Sequence, residues 1–299
     1  MTLNTVALMS PGNMGEGVGL SIKGQGKDVI TVLAGRSDET RMRAERAGLR
    51  EVPDLETMVR EADLVLSVMP PERAEGFARE VAAAMKAAGS APAYADMNAI
   101  SPMTSRRIAE VMADAGAPYI DGGIIGWTPL KNDKSTRLYV SGPHASLMAE
   151  LDGNGKQIRQ LGDEIGRASA VKMVYASITK GTDSLLTAAY TVGEALGIRE
   201  ELEAEWGNSH PAALERMRER VPRLPIDAGR WIGEMEEIAA TYASVGMTPN
   251  FHKGAADLYR LLNRTPFAAE TRETIDRSRT MQDAVKVYVE YLTDRKAAE

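Results

Sequence analysis

Apolar residues follow two rhythms along the chain, and the change between them falls near residue 165. Before it, short unbroken apolar runs alternate with stretches of helical spacing. Val6 to Met9, Val29 to Leu33, Leu64 to Val68 and Ala93 to Asp96 read as strands covered on both faces, since such strands need no polar alternation. Between them, Asp38 to Ala47 (stopped by Gly48), Asp54 to Ala62 and Glu72 to Ala88 read as helices, and Ser101-Pro102 opens another. Tyr119 to Gly126 and Arg137 to Gly142 add two more strands. Strands and helices alternating at this spacing predict a doubly wound parallel α/β sheet. After Gly166 the pattern is helical almost to the end. Ser169 to Leu196 forms one long stretch, followed by Glu200 to Trp206, Pro211 to Arg220, Asp227 to Ser244, Pro249 to Leu262 and Met281 to Asp294. Arg295 to Glu299 reads as a frayed tail. The prediction is an α/β domain over residues 1–165 and an all-α domain over 166–299, joined by the long helix.

The first strand runs into Ser10-Pro11-Gly12-Asn13-Met14-Gly15, and a helical pattern starts at once. Strand, glycine turn and helix in that order are the setting of a dinucleotide-binding fingerprint. Gly12 lets the backbone approach a pyrophosphate, Gly15 lets the helix pack on the strand, and the helix N-terminus, with Asn13 and Met14, holds the phosphates. Ser10 stands where the fingerprint has its first glycine. About 20 residues beyond Gly15, where an acidic residue would hold a ribose 2′-hydroxyl, the next strand ends in Arg36-Ser37. A guanidinium suits a 2′-phosphate, so NADP is favoured over NAD. Ser37 also fits a helix N-cap, with Asp38 and Glu39 behind it, and the two roles are compatible. Val68, Met69 and Pro70 follow a strand whose end lies over the cofactor in such a sheet, and are expected to flank it.

Composition narrows the classes. The chain of 299 residues is 43% hydrophobic and 26% charged, with a formal net charge of −6, so it lacks the basic stripe of a nucleic-acid binder. No apolar run approaches the ~20 residues of a membrane helix, and the N-terminus shows no signal-peptide pattern, so a cytoplasmic location is expected. Cysteine is absent, which excludes thiolate and disulfide chemistry. His144, His210 and His252 have no metal-ligand spacing, so neither a metal site nor a Ser-His-Asp triad is expected.

The series SPGNMG, GRS, LVLSVMPP, DMNAISP, DGGIIG and GRASAVKMVYASITKG, in that order, resembles the β-hydroxyacid dehydrogenase family. That family includes 6-phosphogluconate, 3-hydroxyisobutyrate and tartronate-semialdehyde enzymes. The later part, with TPNFHKGAADLYRLL, is similar to a divergent, 6-phosphogluconate dehydrogenase-like branch. The resemblance implies an N-terminal Rossmann domain, a helical C-terminal domain for substrate and dimerisation, and a homodimer formed through the helical domain. It further implies that Lys172, in the pattern G-x-G-x-x-x-K-x-x-x-N, is the general acid/base. Here Ala168 replaces the second glycine and Ala176 the asparagine. A lysine works so near neutral pH only if burial or cationic neighbours lower its pKa from about 10.4. By the same resemblance Asn98 falls in the loop that contacts substrate or nicotinamide, and Gly122 and Gly123 in the segment that grips the substrate carboxylate. Trp127, just beyond, fits either an apolar pocket or the core, and His252 and Lys253 fit the helical domain's contribution to the cleft.

Helical spacing adds a further expectation. Lys172, Ala176, Thr179, Lys180 and Asp183 share one face, with Lys172 and Lys180 about 12 Å apart along the axis. The stripe is expected to line an interdomain cleft, with Lys180 binding a substrate anion; a Lys180–Asp183 surface pair is the plainer alternative. Together these readings predict an NADP-preferring oxidoreductase that interconverts a small β-hydroxy acid or sugar acid and its carbonyl form, with decarboxylation open. An imine reductase on the same architecture and a non-catalytic NADP-binding sensor are the alternatives.

Overall fold

The structure, a computed structural model, describes residues 2–9, 11–129 and 136–292. The expected frayed tail, the last two residues of the helix expected to reach Asp294, and Ser10 of the fingerprint lie outside them. The chain divides into two compact units, Met1–Val174 and Tyr175–Glu299.

The first unit is built on strands β1 (Thr5–Met9), β2 (Asp28–Thr31), β3 (Arg50–Glu51), β4 (Leu64–Ser67), β5 (Ala93–Asp96), β6 (Tyr119–Ile125), β7 (Thr136–Ser141) and β8 (Lys156–Gln160). They form one sheet in the order β3-β2-β1-β4-β5-β6-β7-β8. All neighbours are parallel except β6 and β7. Helices α1 (Asn13–Lys23), α2 (Asp38–Arg46), α3 (Leu55–Glu61), α4 (Pro71–Ala88) and α5 (Pro102–Asp114) form the crossovers.

Why the strands read as unbroken apolar runs is visible in the core. Val6 and Leu8 of β1 enter one buried layer with Val29, Leu64 and Leu66, whereas Ala7 and Met9 enter another with Ile30, Val65 and Phe77. Both faces of the sheet are therefore covered, and alternation of polar residues would bury them without partners. Two strands escaped the sequence reading because they lack this signature. β3 has two residues, both exposed, and β8 (Lys-Gln-Ile-Arg-Gln) is a polar edge strand.

α6 (Arg167–Leu196) crosses the division between the units at Val174. The second unit is helical: beyond α6 it holds α7 (Arg199–Ser209), α8 (Pro211–Arg220), α9 (Pro225–Ser244), α10 (Asn250–Arg264) and α11 (Met281–Glu290). α9 and α10 pair through Trp231 and Tyr259, whose rings meet edge-on at 5.3 Å. α11 opens with a reciprocal capping box between Thr280 and Asp283.

Candidate functional site

The order of the sheet reverses between β1 and β4, which are hydrogen-bonded neighbours with Met9 opposite Ser67. In an open α/β sheet this reversal opens a crevice at the carboxyl ends of the strands. The loop carrying Gly12 leaves β1 there, and Val68, Met69 and Pro70 leave β4. Met14 and Val68 are half-buried against one core layer and Met69 against the other.

α1 begins without a side-chain cap. Gly12 is extended at φ −72°, ψ −172°, and the first internal hydrogen bond runs from the Glu16 N–H to the Gly12 carbonyl at 2.8 Å. The N–H groups of Asn13, Met14 and Gly15 therefore have no acceptor within the helix and carry its positive end. Gly15 is buried in this turn. The closest approach of helix to sheet falls one turn later, at Gly19, where a Cβ would stand 3.0 Å from both Leu8 and Leu49. Glu16, a carboxylate in a turn suited to anions, is forked by Arg46 at 2.8 and 3.0 Å, with Arg43 at 3.8 Å. The sequence reading missed this pair, and no local spacing connects residues from different helices.

At the end of β2 the chain turns through Gly35 (φ +70°) into Arg36 and Ser37. Ser37 caps α2 by accepting from the Thr40 N–H, so its capping role is real. Arg41, Arg43 and Arg46 are engaged with Leu33 O, Glu39 and Glu16. Among the described residues, no carboxylate pairs with the half-buried Arg36. A glycine turn with uncapped helix donors, beside a strand end that carries an arginine, could hold the phosphates of a dinucleotide.

Asn98 is tied to the strand ends around it. It is buried, its Nδ2 donates to Ser67 Oγ at 2.9 Å and Asp96 Oδ2 at 3.0 Å, and its Oδ1 accepts the Met69 N–H at 2.6 Å. Both amide hydrogens are used inside the protein. Asn98 ties the end of β5 to the loop after β4 and fixes Met69.

Asp96 lies opposite Asp121 in the β5–β6 register, and there the next group of residues converges. Asp121 is fully buried. Its Oδ2 accepts the N–H groups of Gly166, Ala168 and Ser169 at 3.0, 2.8 and 3.1 Å and the Ser141 hydroxyl at 2.8 Å. Its Oδ1 accepts the hydroxyls of Ser105, at 2.7 Å, and Ser169. A carboxylate from β6 thus caps the N-terminus of α6, 45 residues away in sequence. The reading of DGG as a ligand-gripping segment gave no hint of this role, because the donors come from three other segments.

Gly122 and Gly123 are required by close approach. A Cβ on Gly122 would strike the Met97 side chain and stand 2.8 Å from Asp96 O. On Gly123 it would stand 2.7 Å from Lys172 Cβ and 3.2 Å from Cγ. Lys172 lies half-buried along this glycine, and its Nζ donates to the Ile124 carbonyl at 2.8 Å. Two motifs 49 residues apart thus meet in β6 just beyond its pairing with β5, with Asp121 setting the start of the helix that carries the lysine. Trp127, beyond Gly126, is exposed, so it is not part of the core.

Lys180 is paired within the helical unit. Its Nζ lies 2.7 Å from Glu234 Oε2 with both side chains largely buried, and 5.4 Å from the Trp231 ring centroid. An ammonium already neutralised by a buried carboxylate is not an open anion site. The alternative Lys180–Asp183 pair is not formed either: Asp183 is held by Arg216 at 2.7 Å and Arg220 at 3.1 Å, both from α8. The far half of the expected stripe is therefore internal to the helical unit. His252 is buried edge-on against Tyr242, which pushes its pKa down, while Lys253 is exposed. Among the described residues no group of His, Cys, Asp and Glu could hold a metal ion, and no helix is long and apolar enough to cross a membrane.

An open α/β domain with an uncapped glycine turn at its reversal point, followed by a helical unit, defines a nucleotide-binding protein of the Rossmann class. Residues 5–150 match the family described as the NAD binding domain of 6-phosphogluconate dehydrogenase, and residues 194–262 match a domain of unknown function, DUF1932. The N-terminal domain is thus similar to that NAD-binding family, with the match to DUF1932 behind it. An uncharacterized 28.5 kDa protein of Methanothermus fervidus is 27% identical over 175 residues. That match spans 58% of this chain and 65% of the relative's length. The structure of the conserved protein MTH1747, of unknown function and described as similar to 3-hydroxyacid dehydrogenases, aligns with a TM-score of 0.61 and 26% identity over 86% of this chain and 98% of that one. Mycobacterium tuberculosis 3-hydroxyisobutyrate dehydrogenase with L-serine aligns at 0.64 and 18%, over 96% and 99%.

Proposed function

We propose that the protein is an NADP-preferring oxidoreductase that interconverts a small β-hydroxy acid and its carbonyl form, with Lys172 as the general acid/base. The observation that carries this reading is the convergence of Lys172 with Gly122 and Gly123, in the middle of β6 just beyond its pairing with β5, in a sheet whose reversal point carries the glycine turn. The N–H groups of Asn13, Met14 and Gly15 would hold the pyrophosphate, Arg36 the 2′-phosphate, and Val68, Met69 and Pro70 would flank the cofactor. When bound, the nicotinamide supplies hydride acceptance and return. Lys172 takes the proton from the substrate hydroxyl oxygen as its carbon is oxidised, and gives it back in the reverse direction. The Ile124 carbonyl positions its amine, and the missing side chain at Gly123 leaves the space the lysine occupies. The backbone at Gly122 and Gly123 orients the substrate carboxylate. A β-keto acid product loses carbon dioxide readily, so decarboxylation belongs to the proposal.

The test is reduction of NADP and of NAD across 3-hydroxy acids, L-serine among them, and sugar acids, with Lys172→Ala beside the wild type. Turnover with NADP that falls by ~100-fold or more in the variant supports the reading, the scale of a lost general base. Turnover unchanged in the variant refutes the lysine's role. NADPH binding without turnover of any hydroxy acid or carbonyl refutes the substrate class, and oxidation of NADPH by imines instead assigns imine reduction.

A further inference from the structure

The first turn of α1 carries opposing charges. Its N–H groups form the positive end of the helix and suit two phosphates, yet Glu16 stands in the same turn, one residue beyond Gly15. Glu16 follows Asn13 by about 4.5 Å along the axis, and the side chains of a helix lean toward its N-terminus. A carboxylate so placed repels the anion for which the turn is suited. It is also buried, at 7% exposure, so dissolved ions screen it little.

The opposing charge comes from another helix. Arg46, the last residue of α2, grips Glu16 with two parallel bonds, Nε to Oε1 at 2.8 Å and Nη2 to Oε2 at 3.0 Å. Such a fork is the strong form of the arginine–carboxylate contact. The Arg46 side chain stays 62% exposed, so what it brings to Glu16 is charge rather than buried area. Arg43 stands 3.8 Å away, but its Nη2 is also bonded to Glu39, so it cannot replace Arg46 in full.

We infer that Arg46 is a positioning residue for the cofactor, acting through Glu16: by neutralising that carboxylate it keeps the first turn of α1 positive enough to take a pyrophosphate. The inference rests on the cofactor reading proposed above, and it gives two arginines of one region different tasks. Arg36 would meet the 2′-phosphate and so distinguish NADP from NAD. Arg46 acts on the pyrophosphate, which both nucleotides carry, and so affects both alike.

Calorimetric titration of the full chain with NADPH and with NADH tests it, with thermal unfolding as the control of folding. Arg46→Ala should weaken both nucleotides by about fivefold or more, the scale of one charge at a helix terminus acting on two phosphates, and the loss should shrink at high salt. Arg46→Lys keeps the charge and should stay within about twofold of the wild type. Glu16→Gln leaves Arg46 unopposed and should bind both nucleotides at least as tightly as the wild type. The decisive variant combines Glu16→Gln with Arg46→Ala: with both charges gone, affinity should return to within about twofold of the wild type. A mere strut between α1 and α2 would be lost equally in the double variant, so a double variant as weak as Arg46→Ala overturns the inference. So does an Arg46→Ala variant that binds like the wild type, or one whose loss is confined to NADPH, which assigns Arg46 to the 2′-phosphate. Should Arg46→Ala fail to fold, Glu16→Gln and the double variant decide, since both must then bind as tightly as the wild type. A wild type that binds neither nucleotide overturns the cofactor reading itself, and the inference with it.

Discussion

Replacing Asp121 by alanine should be among the most damaging single changes in the first unit. The substitution leaves the N–H groups of Gly166, Ala168 and Ser169 facing a buried space without their acceptor, although Ala168 keeps a second bond to Ser141 Oγ at 3.0 Å. A buried donor left unmade costs about 1–3 kcal/mol. The hydroxyls of Ser105, Ser141 and Ser169 can rotate toward other partners and add less. Two uncompensated N–H groups and a lost helix cap give about 3–5 kcal/mol, a large share of the ~5–15 kcal/mol by which a domain is stable. Asp121→Asn separates the causes. Its carbonyl oxygen can take the Oδ2 position and serve the helix N–H groups, while its amide turns toward Ser105 and Ser169, which can reverse to accept. The expected cost of the amide is about 1–2 kcal/mol. Urea unfolding gives both values, and hydrogen exchange at residues 166–169 should speed up first in the alanine variant. A cost below about 1 kcal/mol for Asp121→Ala would refute the argument that this carboxylate secures the start of α6.

Gly123→Ala should cost about 1–3 kcal/mol by overpacking, since its Cβ would stand 2.7 Å from Lys172 Cβ, and should lower kcat more than it raises KM for substrate. Steady-state kinetics beside a denaturation curve separates the two effects. Arg36→Ala should raise KM for NADP by about 10–100-fold and leave that for NAD within about twofold, as expected for one lost phosphate contact. Equal losses for both cofactors would remove the 2′-phosphate role. Lys156 is buried on β8, donating to Ser21 Oγ at 2.8 Å and Gln25 Oε1 at 3.0 Å, and burial pushes its pKa down to about 8 from 10.5. Between those values the unfolded chain holds a proton that the folded one has released, so stability should rise with pH over about 8 to 10.5. The gain should approach about 3 kcal/mol and vanish in Lys156→Met, which unfolding curves at pH 7.5 and 10.5 would check.

The sheet and the helical half were legible because each follows a local rule. Strands buried on both faces must be apolar throughout, and several crossover helices carry their own caps: Ser37, Asp54 and Ser101 cap the helices they precede. The same locality explains the misses. β3 and β8 are short or polar edge strands held by backbone pairing, which leaves little trace in side-chain pattern. The glycine turn, Arg36 and the loop after β4 could be placed at one crevice because the α/β topology brings the ends of neighbouring strands together wherever the sheet reverses. Lys172, Gly122 and Gly123 could be named from an ordered set of motifs, but their contact could not, because 49 residues separate them.

Partner choice for polar side chains was decided by tertiary structure alone. Sequence made Lys180 and Asp183 candidates for one open charged face, whereas folding gives Lys180 to Glu234 and Asp183 to Arg216 and Arg220. Sequence placed Asn98 beside a ligand, and folding uses its amide to bind Ser67, Asp96 and Met69. Asp121 stood in a motif for its glycines, and its own task, accepting the Gly166 N–H 45 residues later at the start of α6, appeared only once the chain had folded. The physical reason is common to all three. Periodicity and capping are settled by neighbours a few residues apart, whereas a buried polar group must be satisfied by whichever donor or acceptor the fold brings within 3 Å.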